Sequence, residues 1–150
     1  VSGTTIQEIV RSASADAGQR VPTYDVAMIE AAFRQARDRE PSISLLMLST
    51  ADGRAVAESS SLDTDGRRLA AMANSFLTLG ETVARELALS QTDYATICTQ
   101  AGNVVLIRIA AARPLTLTAV ARQDTNMAVL LYVARDCAAR LARELASAAN

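Results

Sequence analysis

Residues 65–89 show helical periodicity on two sides at once, and this constrains the fold more than any other stretch. At 3.6 residues per turn, Leu69, Met72, Ala73, Phe76, Gly80, Val83 and Leu87 share one face, which reads as an ordinary core stripe. The opposite face holds Ala71, Asn74, Ser75, Thr78 and Thr82, with Arg67 and Arg85 near its ends. A solvated helix face usually carries Glu, Lys, Arg and Gln, whose long side chains favour helix and stay hydrated. Small, uncharged residues over about three turns instead let a second backbone come close. The helix is expected to bury one side in its own core and offer the other to a protein partner. The plain alternative is an alanine-rich surface helix.

The remaining segments supply layers for this helix to pack on. Apolar positions at Val26, Ile29, Phe33 and Ala36 give a one-sided helix over residues 24–40, ended by Pro41. The continuous apolar run at residues 45–48 suits a central strand, residues 43–50, covered on both faces. Asp52-Gly53 is a strong hairpin signal and returns the chain as a strand over residues 54–59. Asp63 or Asp65 caps the two-sided helix. Three further strands are expected at residues 94–100, 104–111 and 115–122, and Asp124 or Thr125 caps a last helix. That helix repeats Met127, Leu130, Leu131, Ala134, Ala138, Leu141 and Leu145. Residues 1–22 read as a flexible arm and residues 23–150 as one domain.

Strands that are apolar on both faces need cover on both faces. The first and last helices can cover one. The middle helix alone is narrow cover for five strands, so a second copy of the chain, related by a two-fold axis, is expected to complete that layer. The strand beginning at Tyr94 is expected to be a free edge, which pairs with its own mate or needs other protection.

Several chemistries lack the residues they need. The chain has no histidine, which removes Ser-His and Cys-His nucleophiles and histidine metal sites. No CxxC, HExxH, GxxxxGK[ST] or GxGxxG pattern occurs. No catalytic residue, metal or cofactor is therefore expected. All 15 positive charges are arginine, the net charge is −1, and no basic footprint for nucleic acid exists. No apolar run approaches the roughly 18–20 residues that span a bilayer. With only two cysteines, Cys98 and Cys137, expected as buried free thiols, the chain reads as cytoplasmic. Arg54, Arg67, Arg68 and Arg85 are the side chains with the position to reach a partner's nucleotide, where an arginine stabilises phosphoryl-transfer charge. For each, a solvated surface charge is the simpler reading.

The run Leu48-Ser49-Thr50-Ala51-Asp52-Gly53-Arg54-Ala55-Val56-Ala57, followed by Leu69-Ala70-Ala71-Met72-Ala73-Asn74-Ser75-Phe76, resembles the roadblock (dynein light chain) family, in particular bacterial members associated with small Ras-like GTPases. Gly102-Asn103-Val104-Val105-Leu106 and the closing Leu-rich helix strengthen the resemblance, which covers about residues 24–147. It implies an α/β (α+β) sandwich of roadblock, profilin-like type: a five-stranded antiparallel sheet with helices on both faces, in the order α-ββ-α-βββ-α. It also implies a homodimer and a non-enzymatic regulator or scaffold for a Ras-like GTPase, acting on its nucleotide state or location. The interface expected from this includes Arg67, Ala70, Ala71, Asn74, Ser75, Leu77, Thr78, Glu81, Thr82 and Arg85, with edge pairing through Tyr94, Thr96 and Cys98. A ligand-sensing module and a purely structural assembly subunit are the alternatives.

Overall fold

The computed structural model describes residues 23–148, so the expected N-terminal arm lies outside the described residues. The elements run α1 (Val26–Arg39), β1 (Ile43–Thr50), β2 (Ala55–Ser60), α2 (Gly66–Glu86), β3 (Ala95–Cys98), β4 (Gly102–Ile109), β5 (Leu115–Arg122) and α3 (Met127–Ala148). The strands form one antiparallel sheet in the order β2-β1-β5-β4-β3. The α-ββ-α-βββ-α order expected from the sequence is the observed one.

Local chemistry sets the boundaries. The Asp25 side chain accepts from the Met28 amide and starts α1, and Asp65 accepts from Arg67 and Arg68 and starts α2. For α3 the cap is neither of the residues expected. Asn126 accepts from the Ala128 amide, while Thr125 is buried and hydrogen-bonded to Ser42. The β1–β2 turn closes through the Thr50 amide on the Arg54 carbonyl at 2.8 Å, with Gly53 at φ +86. That left-handed conformation favours glycine. The α2 C-terminus ends with Ala88 at φ 54, its amide on Arg85 O and the Leu89 amide on Ala84 O. Both bonds belong to a Schellman cap, built here without the usual glycine.

Alternation along the strands makes two unequal cores. Leu46, Leu48, Val105, Ile107, Ile109, Leu115, Leu117 and Ala119 face α1 and α3 in the main cluster, with Ile29, Phe33, Leu130, Ala134 and Leu141 packed over them. The other face is thinner. There α2 lies alone over two small clusters, Leu45–Met47–Ala70 and Ala73–Leu77–Leu106. Both edge strands differ from expectation by a residue or more: β2 begins at Ala55, and β3 spans only Ala95–Cys98. Cys137 is buried and Cys98 is exposed, which corrects the expectation of two buried thiols.

Candidate interaction surface

The phase of α2 differs from the simple wheel reading. The helix turns Ala70, Ala73, Asn74 and Leu77 to the sheet. Most of the stripe assigned to the core points away: Met72 is 52 % exposed, Phe76 41 %, Val83 50 % and Leu87 64 %, with Leu79 beside them at 62 %. Two facts of the sheet explain the rotation. Small Ala70 and Ala73 let the helix sit close over Leu45, Met47 and Leu106. The sheet also supplies polar partners that only Asn74 can meet.

That polar cluster joins α2 to three strands. Asn74 Nδ2 donates to Ser49 Oγ at 2.8 Å and to Ala70 O at 2.9 Å. Its Oδ1 accepts from Thr116 Oγ1 at 2.6 Å and from Arg108 Nη1 at 3.1 Å. Arg108 continues to Thr116 Oγ1 at 2.6 Å and forms an ion pair with Glu81 at 2.6 Å. Every polar atom of the Asn74 amide is thus satisfied, as a buried amide requires. Three residues expected to meet a partner, Ala70, Asn74 and Leu77, instead lie in the chain's own interior. Glu81 is half-buried by Arg108, whose importance sequence reasoning missed. Its alternation with Val104 and Leu106 on β4 already placed it on this face, but nothing local named its partners.

The outward side of α2 is a continuous apolar stripe that runs towards β3. Ile97 lies opposite Val104, on the same sheet face as α2, and is 40 % exposed at the edge. Leu89 adds exposed apolar surface where α2 leads into β3. Scattered exposed leucines are ordinary, whereas Met72, Phe76, Leu79 and Val83 recur at helical spacing on one side of α2. Thr96 and Cys98 occupy the opposite sheet face, with Tyr94, whose ring carries the Arg135 guanidinium 4.9 Å from its centroid.

The other flank of α2 faces the β1–β2 turn. A groove of about 500 Å³ lies between Ala51, Asp52 and Gly53 on the turn and Ala71, Ser75, Thr78 and Thr82 on the helix. A Cβ built at Gly53 would stand 3.0 Å from Ala71 Cα, so the turn and the helix meet backbone to backbone. The small face read in the sequence is here, narrower than expected and uncharged. Thr50 and Arg54 hydrogen-bond the Asp52 carboxylate, in that order of effect, and hold it below its usual range. Arg54 is therefore engaged with Asp52, Arg85 reaches Thr82 at 3.3 Å, and Arg67 and Arg68 are exposed at the start of α2. Among the described residues no group of three His, Cys, Asp or Glu side chains is placed to hold a metal, and no helix is long and apolar enough to cross a membrane.

Comparison with known proteins gives a consistent picture. The Roadblock/LC7 domain model matches residues 32–119. Comparison with curated protein sequences gives no significant match. Among solved structures, Myxococcus xanthus MglB superposes with a TM-score of 0.74 at 11% identity, covering 83% of this chain and 99% of that one. The gliding protein MglB of Thermus thermophilus gives 0.71 at 10% identity, covering 83% and 93%. A Roadblock/LC7 domain from Streptomyces avermitilis gives 0.66 at 15% identity, covering 75% and 92%.

Proposed function

Because the chain belongs to the Roadblock/LC7 domain family, we propose that it is a non-enzymatic, cytoplasmic homodimeric adaptor that binds a Ras-like small GTPase and modulates its nucleotide state or location. The observation that carries the dimer is the exposed stripe of Met72, Phe76, Leu79 and Val83, continuous with the free β3 edge. A lone α2 leaves the sheet thinly covered on this side, and a second α2 alongside buries both stripes at once. The GTPase reading rests on the role that the roadblock resemblance implies. The groove between the β1–β2 turn and α2 shares only Leu79 with that stripe, so the proposed dimer leaves most of one such groove free on each protomer. Regulation requires unequal affinity for the GTP and GDP forms.

Light-scattering mass during gel filtration tests both parts. The chain alone is expected at about twice its 15.9 kDa. Mixed with a candidate Ras-like GTPase, it is expected to move to a heavier complex with one nucleotide form and not the other. A monomer would remove the dimer. A dimer that ignores both forms of every Ras-like GTPase tried would favour a structural assembly subunit or a ligand-sensing module.

A further inference from the structure

We infer that the groove between the β1–β2 turn and α2 is the docking site of the chain's own N-terminal segment, residues 5–18, with Ile6, Ile9 and Val10 against the small residues of its walls. The docking stands apart from the functional reading above; only its consequence for a GTPase rests on that reading.

Residues 5–18 carry helix signals at both ends. Thr5 followed by Glu8 has the spacing of a capping box, and Gly18 stands where a left-handed residue ends a helix. Between them Ile6, Ile9, Val10, Ala13 and Ala17 recur at i, i+3, i+4, i+7 and i+11, opposite Gln7, Glu8, Arg11 and Ser12. An amphipathic helix enters a groove through anchors at this spacing. A helix of about twelve residues is marginal in water and needs a surface to pack on.

The chain enters the fold close to that groove. Arg37, in the last turn of α1, donates to Ser44 O and Ser59 O at the open end of the β1–β2 hairpin. Contacts of Arg39 with Asp136 and of Arg140 with Gln35 set α1 antiparallel to α3. α3 follows β5 at the same open end, where the Arg122 amide donates to Ser42 O. The first turn of α1 therefore lies at the turn end of the hairpin, across the sheet from the groove. From Ala17 to Val26 the chain reaches at most about 30 Å, against roughly 20 Å for two layers of about 10 Å each. The connection passes around the Asp52-Gly53 turn. A tether that spans its site supplies an effective concentration on the order of millimolar, so a weak contact suffices.

Size and charge fit the same occupant. The groove follows α2 from Ala71 to Thr82, about 16 Å of helix, and the stripe from Ile6 to Ala17 has equal length. Ala51, Gly53, Ala71 and Ser75 leave room for branched side chains. Asp52, the charged residue of the lining, is already paired with Arg54, so docking strands no free charge. The β2 edge calls for an extended strand, and the α2 stripe already carries large side chains at Met72, Phe76 and Leu79. A GTPase that uses the groove must first displace the segment, which makes the docking an autoinhibitory contact.

Thiol accessibility reads the docking without a GTPase. Cys137 is buried and Cys98→Ala removes the exposed thiol, so Ser75→Cys on the groove wall is the one accessible cysteine. It is expected to react with a maleimide about tenfold more slowly than when Ile6→Asp and Ile9→Asp are added, since a minor open state holds about 10 % of molecules or fewer. Ser60→Cys on the β2 edge and Phe76→Cys on the α2 stripe are expected to react alike in both backgrounds. As a second reading, Ile9→Cys with Ser75→Cys is expected to close an internal disulfide under mild oxidation. Equal rates at Ser75→Cys, or protection at Ser60→Cys or Phe76→Cys instead, would overturn the docking. A bridge between two chains would overturn its assignment to the chain's own segment. Ile6→Asp with Ile9→Asp is also expected to tighten GTPase binding about tenfold, because the competent fraction rises by that factor. Unchanged affinity would overturn the autoinhibition, whereas a GTPase that binds no form of the chain would count against the functional reading alone.

Discussion

Asn74 is one buried amide on which the seating of α2 depends. It spends both donors and its acceptor on Ser49, Ala70, Thr116 and Arg108, and its side chain has no water to fall back on. Removing it leaves the Thr116 hydroxyl and part of the Arg108 guanidinium short of partners. Asn74→Ala is expected to cost about 1–3 kcal/mol, seen as a lowered urea midpoint. Coupling between Asn74→Ala and Arg108→Ala is expected to exceed about 0.5 kcal/mol in a double-mutant cycle, because the two share Thr116. Strict additivity would show that the contact carries no energy. Burial also acts on Cys137, whose thiol desolvation pushes up to about 12 from 9.0. A folded-state value above the unfolded one means that this contribution is whole below pH 9 and is lost as pH rises towards 12. Cys137→Ala is therefore expected to remove part of the alkaline fall in melting temperature. Equal slopes for both proteins from pH 8 to 11 would contradict this.

At the scale of the element, most of the fold was legible. Period-two and period-3.6 patterns, the Asp52-Gly53 turn and Pro41 placed every helix and strand in its observed order. The phase of α2 was not legible, for a physical reason. A wheel shows which residues share a face but not which face meets the sheet, and α2 has two faces suited to burial. Met72, Phe76, Val83 and Leu87 look like core in the sequence, yet this chain's own sheet leaves them exposed. What decides the phase is Arg108 and Thr116, which lie 34 and 42 positions away from Asn74 in sequence. Of the small face, Ala71, Ser75, Thr78 and Thr82 are exposed at the groove, while Asn74 is interior. The C-terminus of α2 offers a cleaner test of local chemistry. Ala88 holds a left-handed conformation that glycine adopts without strain. Ala88→Gly is expected to stabilise the fold by about 0.5 kcal/mol, the relief of strain exceeding the added unfolded-state entropy. A loss of stability on urea denaturation would mean that the Ala88 methyl contributes more than its strain costs.

For the whole molecule, the proposed function gives the two flanks of α2 separable tasks. The stripe through Phe76 and Val83 is exposed, whereas Thr78 lies on another flank beside the Asp52-Gly53 turn. Charge placed on the first flank opposes burial of a like charge on the second copy, since an unpaired buried charge is strongly disfavoured. Phe76→Arg with Val83→Arg is therefore expected to halve the light-scattering mass. Both side chains are half-exposed in a single chain, so the far-ultraviolet circular dichroism should keep its helix and strand content. Thr78→Trp fills the groove, which of that stripe meets only Leu79, and it loses only a long 3.4 Å contact with Arg108. It is expected to leave the dimer mass unchanged and to weaken the complex with a Ras-like GTPase at least tenfold. If Thr78→Trp binds the GTPase as the unsubstituted chain does, while the double arginine variant does not, the partner surface lies across the paired α2 helices and the grooves are bystanders.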